Sequence, residues 1–192
     1  GLPGFSTNSA SFLGLCRENA GDIQLTIDQR SNVMETLLRL DRAYPGRISA
    51  QAGPLAEARI WLDMEKARQE GRPPMPGKGY LKGCGGVFSK MGVRADGVIV
   101  PCIQMGHIAL GRINHDDLGE TWRDHPELRR LRERSDIPLE TFEECRGCPY
   151  IPYCTGNCPA LSYTLTGDEN RPSPDACLRR FLDEGGHLPD GF

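Results

Sequence analysis

The chain has 192 residues, room for one sizeable domain or two small ones, and its 23 glycines and 15 prolines predict abundant loops and turns. A net charge of −3 excludes a nucleic-acid binder that works by neutralising phosphates. No apolar run approaches the roughly 18 residues of a membrane span and no signal peptide opens the sequence, so, with residue 1 as the true start, a soluble cytoplasmic protein with no membrane partner is expected.

In chain order, residues 1–15 read as a loop leaving a strand. After Asp28, the apolar residues Val33, Met34, Leu37, Leu38 and Leu40 recur at spacings of three and four, which predicts an amphipathic helix that Tyr44-Pro45-Gly46 stops. Arg47–Gln51 reads as a short strand. Pro54 opens a second helix to about Gln69, with Leu55, Ala58, Trp61, Leu62 and Glu65 at near-helical spacing as its core stripe and Gly71 as its end. Helix–strand units of this kind place residues 1–70 in the α/β class. The Gly- and Pro-rich stretch 71–83 reads as a linker, with a second domain over 84–192. In that domain Asp96-Gly97 lies between two β-rich runs, Val87–Val93 and Val98–Val100, and predicts a type I′ hairpin turn. Leu118–Arg134 reads as one helix with Trp122, Leu128 and Leu131 inward and Arg129, Arg130, Arg132 and Arg134 in water. From Ile137 to Pro159 little regular structure is expected, so something besides an apolar core must hold that segment.

The eight cysteines are unevenly placed. Cys16 is alone, Cys84 and Cys102 form a loose pair, and Cys145, Cys148, Cys154, Cys158 and Cys177 crowd together with the spacing C-x2-C-x5-C-x3-C-x18-C. In an intracellular protein such crowding points to metal rather than disulfides. Five thiols exceed by one what a tetrahedral zinc or a four-thiolate cluster can use. With the upstream pair, that arithmetic suggests two sites, one complete and one with three thiolates. The upstream pattern, C-x12-G-x4-C, puts a hairpin between Cys84 and Cys102 that would bring the two thiols toward one another.

These spacings resemble the seven-cysteine signature of the SPASM domain, the C-terminal extension of radical S-adenosylmethionine maturases such as anaerobic sulfatase maturases and the pyrroloquinoline quinone maturase. Gly97–Cys102, Ala109–Ile113 with Leu118–Trp122, and Ala160–Asp168 agree with it, so the resemblance runs over about residues 80–185. It implies two auxiliary [4Fe-4S] clusters: the first held by Cys84, Cys102 and Cys158, the second by Cys145, Cys148, Cys154 and Cys177. The first would keep an open iron or take a further ligand such as Cys16 or His107. The resemblance also implies that residues 1–70 are the closing part of a partial (β/α) barrel, followed by an irregular, cluster-stabilised domain with a β-hairpin and short helices.

One departure is large. The C-x3-C-x2-C motif that cleaves S-adenosylmethionine is absent: Cys154 and Cys158 have its first spacing, but Leu161 stands where the third cysteine should be. The chain is therefore expected to be the C-terminal portion of a larger enzyme, inactive alone, with the S-adenosylmethionine cluster site in an N-terminal barrel outside this sequence. The expected partners are that barrel, a peptide or protein substrate and a redox donor such as a ferredoxin or flavodoxin. The alternatives are a zinc-stabilised binding module and a free-standing two-cluster electron carrier.

Overall fold

The computed structural model describes residues 1, 3–10, 13, 15–82 and 85–190. In chain order these form strand β1 (Phe5–Thr7), helices α1 (Leu15–Glu18), α2 (Ala20–Ile23) and α3 (Ile27–Ala43), strand β2 (Ile48–Ala50) and helix α4 (Pro54–Gln69). Strands β3 (Gly92–Val93), β4 (Val98–Val100) and β5 (Gly111–Arg112) follow, then helices α5 (Leu118–Asp124), α6 (Pro126–Glu133), α7 (Pro159–Thr166) and α8 (Leu178–Asp183). Short 3-10 turns fill much of the interval between α6 and α7. No described helix is long and apolar enough to cross a membrane. The mixture of helices and two small sheets is consistent with the α/β class.

The chain divides into two compact units. Unit 1 comprises Gly1–Pro74, Cys148–Tyr153 and Pro174–Phe192. Its β1 pairs with β2 in parallel, Ser6 opposite Ser49, so the loop expected at the start of the chain contains a strand. Helix α3 starts on a capping box in which Thr26 and Gln29 each satisfy the other's backbone N–H. Met34 and Leu38 of its apolar stripe are buried against α4, whose core face is Leu55, Ala58, Trp61, Met64 and Ala67. Helix α4 ends in a Schellman motif, with the Arg72 N–H on the Ala67 carbonyl and the Gly71 N–H on the Arg68 carbonyl. Phe181 of α8 packs on Trp61, ring centroids 4.8 Å apart. The Arg30 guanidinium lies over both rings and bridges Glu57 (2.8 Å) and Asp175 (3.3 Å). That network ties helix α3 to the C-terminal segment.

Unit 2 comprises Met75–Gly147 and Cys154–Ser173. Its sheet is an antiparallel meander, β3-β4-β5. The hairpin foreseen at Asp96-Gly97 is present, but its turn is not type I′. Only Gly97 has positive φ (82°), and the Gly97 N–H closes onto the Arg94 carbonyl. With Val93 opposite Ile99, the loop is three residues, a type I turn followed by a left-handed glycine. The helix expected over Leu118–Arg134 is two helices, because Pro126 lacks the N–H needed to continue α5 and instead starts α6 after a His125 cap. Val87, Ile99, Met105, Ile108, Leu110, Leu128, Leu131 and Ala160 form the core, with Trp122 packed against it.

The solvent-facing expectation for the arginines fails most fully at Arg134, while Arg132 is half-buried with its guanidinium on the Val87 and Trp122 carbonyls. Arg134 is 1% exposed. The chain tightens into a 3-10 turn at Arg134–Asp136, so Arg134 follows Leu128 and Leu131 at i+3 steps onto the core side. Within the Gly- and Pro-rich stretch 71–83, Gly79–Lys82 is also built into the unit. The N–H groups of Gly79, Leu81 and Lys82 donate to the carbonyls of Cys154, Ile137 and Thr155, and Leu81 is fully buried.

Candidate metal centre

Two cysteines of unit 2 meet on one cavity. Cys102 follows buried Val100 and Pro101 at the end of β4, where its extended backbone (φ −154°, ψ 149°) caps a 3-10 turn. Cys158 occupies the N-cap of α7, ahead of Pro159 at the first helical position. Both thiols pack against the core of the unit and line the same cavity, with Met105, Leu131, Pro159 and Ala160 around them. Lys82 and Arg134 line it too. The hairpin thus delivers Cys102 and the helix start delivers Cys158, two positions remote in sequence. Cys84, the third thiol expected there, lies outside the described residues.

Between Cys154 and Cys158 the chain is tightly constrained. Gly156 and Asn157 both take left-handed conformations, φ 66° and 65°. A Cβ on Gly156 would lie 2.3 Å from Leu81 Cδ2 and 2.9 Å from Leu139 Cδ2, so the backbone passes where only glycine fits. The Gly156 N–H donates to Cys154 Sγ at 3.3 Å, a contact that stabilises charge on that sulfur. Cys145 ends a 3-10 turn, its N–H on the Phe142 carbonyl (3.0 Å).

Unit 1 carries Cys16, Cys148 and Cys177. Cys177 is the N-cap of α8. Burial pushes the Cys148 thiol up, against the opposing pull of the Tyr150 N–H and the positive charge of Arg179, while Cys177 pushes it further up. Cys148 begins a short segment held onto the end of α4 by two tyrosines. The Tyr150 hydroxyl donates to Glu65 Oε2 (2.7 Å), and the Tyr153 hydroxyl donates to the carbonyls of Ala67 (3.2 Å) and Arg72 (2.7 Å). Cys16 sits half-buried in α1. His107, the other candidate for a further ligand, belongs to unit 2 and stacks on Tyr163, centroids 3.7 Å apart and planes at 10°.

The seven described cysteines are half-buried thiols, none of them joined in a disulfide. Among the described residues no three His, Cys, Asp or Glu side chains gather closely enough to hold a single metal ion. Soft sulfur donors on a cavity walled by apolar groups suit a thiolate-bound iron–sulfur group. Sequence reasoning missed Lys82 and Arg134 at this cavity. The signal for Arg134 was the i+3 spacing from Leu128 and Leu131; for Lys82 there was none, since its neighbours read as a linker.

A second cavity, about 420 Å³, opens in unit 1 past the carboxyl end of β1. Thr7, Asn8 and Ser9 line it, with Arg30, Glu57 and Asp175. Burial raises the Glu57 carboxyl above its ordinary value, and Arg30 pulls the other way.

Residues 84–149 match the family model of the SPASM domain, an iron-sulfur cluster-binding domain. The match implies iron–sulfur cluster binding and takes in Cys84, Cys102, Cys145 and Cys148. No curated protein and no solved structure matches the chain.

Proposed function

We propose that this chain is the auxiliary-cluster portion of a radical S-adenosylmethionine maturase that modifies a peptide or protein in the cytoplasm. The observation that carries the reading is the cavity shared by Cys102 and Cys158. The family resemblance assigns Cys158, the fourth cysteine of its crowded group, to the hairpin's cluster with Cys84 and Cys102 rather than to the cluster of its sequence neighbours, and the common cavity supports that crossing. The remaining cysteines, Cys145, Cys148, Cys154 and Cys177, are assigned to the second cluster by their spacing within the same signature.

Bound clusters would supply one-electron transfer between a ferredoxin- or flavodoxin-like donor and the radical site. The chain's own residues would supply the rest. Cys102 and Cys158 present thiolates from a rigid hairpin end and a helix start, while Met105, Leu131 and Ala160 exclude water from the cavity. The Gly156 N–H holds Cys154 Sγ. In this reading the β1–β2 pair and its intervening helices would be one repeat of a partial (β/α) barrel; their parallel pairing supports that, and the cavity beyond β1 would then lie where such folds hold ligands. S-adenosylmethionine cleavage belongs to an N-terminal barrel in this reading, since the chain lacks the motif.

Anaerobic purification and reconstitution test the proposal. The expected result is a brown protein with about eight irons and eight sulfides per chain. Colourless protein holding zinc would replace this reading with a binding module. S-adenosylmethionine cleavage by the isolated chain would contradict the assignment of that step to another segment.

A further inference from the structure

The lining of the Cys102–Cys158 cavity is electrically one-sided. Arg134 and Lys82 are among its lining residues with the two cysteines, and the lining has no carboxylate among the described residues. Arg134 is the more telling of the two. Its guanidinium cannot be deprotonated in a protein, and at 1% exposure bulk water does little to screen its charge. Holding it there requires a well-ordered position on the core, which the Leu128, Leu131, Arg134 succession provides. A fixed cation in such a place favours whichever occupant carries negative charge, and favours it more after each added electron.

We propose that Arg134, assisted by Lys82, is a positioning residue that sets the reduction potential of the cluster bound at Cys102 and Cys158. The inference rests on the cluster reading above. One electron from the reductant enters the cluster and no proton need follow it, because the positive charge is already in place. The guanidinium thereby raises the potential above that of the same thiolate set without it.

The test is a redox titration of the full reconstituted chain, with dithionite as reductant and the electron paramagnetic resonance signal as readout. The signal belonging to this cavity is the one lost in Cys102→Ala. Arg134→Gln is expected to keep its iron and to lower the reduction equilibrium constant of that signal at least tenfold, which for a one-electron couple is about 59 mV toward negative potential. Arg134→Lys, which keeps the charge, should stay within threefold of the wild type. An unchanged midpoint in iron-loaded Arg134→Gln would overturn the inference. Should Arg134→Gln fail to fold, Lys82→Gln carries the same test: a midpoint displaced to negative potential supports the proposal, and an unmoved one overturns it. A wild-type chain that takes up no iron or sulfide defeats the cluster reading and this inference together, whereas a loaded wild type with indifferent variants defeats this inference alone.

Discussion

The Tyr150 hydroxyl donates a 2.7 Å hydrogen bond to Glu65 Oε2, two residues beyond Cys148, so a cysteine of the C-x2-C loop is anchored to the last turns of helix α4. Arg68 reaches the same carboxylate through two hydrogen bonds, 2.7 and 2.8 Å. Tyr153 repeats the arrangement one turn later, on the Ala67 carbonyl in the last turn of α4 and the Arg72 carbonyl just beyond it. The segment that Cys148 begins is therefore held by the two tyrosine hydroxyls.

Removing those hydroxyls should loosen the segment without abolishing the fold. Tyr150→Phe and Tyr153→Phe are each expected to cost about 1 kcal/mol, and more for Tyr153 because it leaves two carbonyls with one donor fewer. Hydrogen exchange over residues 148–153 should accelerate in both variants, more in the double. Unchanged exchange would show that the tyrosines do not hold the loop.

The same latch has a pH window. Bonding to Arg68 and Tyr150 holds the Glu65 carboxyl down at about 2, while burial and the bond to Glu65 push the Tyr150 phenol up to about 12. The carboxylate's contribution is present above its unfolded pKa, near 4.5, and is lost as pH falls from there through about 2. The phenol's contribution is present below its unfolded pKa, near 10, and is lost as pH rises through about 12. Tyrosinate absorbance is expected to show a phenol ionising near 12 that is absent in Tyr150→Phe, and Glu65→Gln should bring that phenol back toward 10.

Gly156→Ala tests the constrained turn between Cys154 and Cys158. The new methyl meets Leu81 and Leu139 in a left-handed backbone, which should cost about 2 kcal/mol or more. Denaturant midpoints and iron content are expected to fall together. Asn157→Gly, at the neighbouring left-handed position, should be tolerated in both measurements.

Breaking the buried network of unit 1 should be costly. Arg30→Ala leaves Glu57 and Asp175 without their cation, and a loss of about 3–5 kcal/mol is expected in chemical denaturation. Glu57→Gln should cost less, because burial already disfavours its charge.

Single cysteine changes separate ligands from bystanders. Cys158→Ala is expected to lower bound iron to about half, with Cys102→Ala matching it, whereas Cys16→Ala should leave iron unchanged. Equal loss in all three would make Cys16 a ligand.

Much of this was open to reading from the residues. The stripe through Met34 and Leu38 and the face through Leu55, Ala58 and Trp61 announced α3 and α4, because helical periodicity is a local property. The cysteine groups were legible for a similar reason: thiols that share a metal group often lie close in sequence, and the spacing survives in the chain. The hairpin was legible as well, though not its turn type, since Asp-Gly serves a type I turn with a left-handed glycine as readily as type I′.

The division of labour between chain and fold is clearest at the cavity. The sequence alone determined how the cysteines are grouped along the chain and where α3, α4 and the hairpin lie. Only packing decided that Cys102 and Cys158 face one cavity, and that Arg134 turns inward beside them while its neighbouring arginines do not. Charged residues are assigned to water by type, but the direction a side chain takes depends on where the helix tightens and on what is packed across from it, and those are long-range facts no local pattern contains.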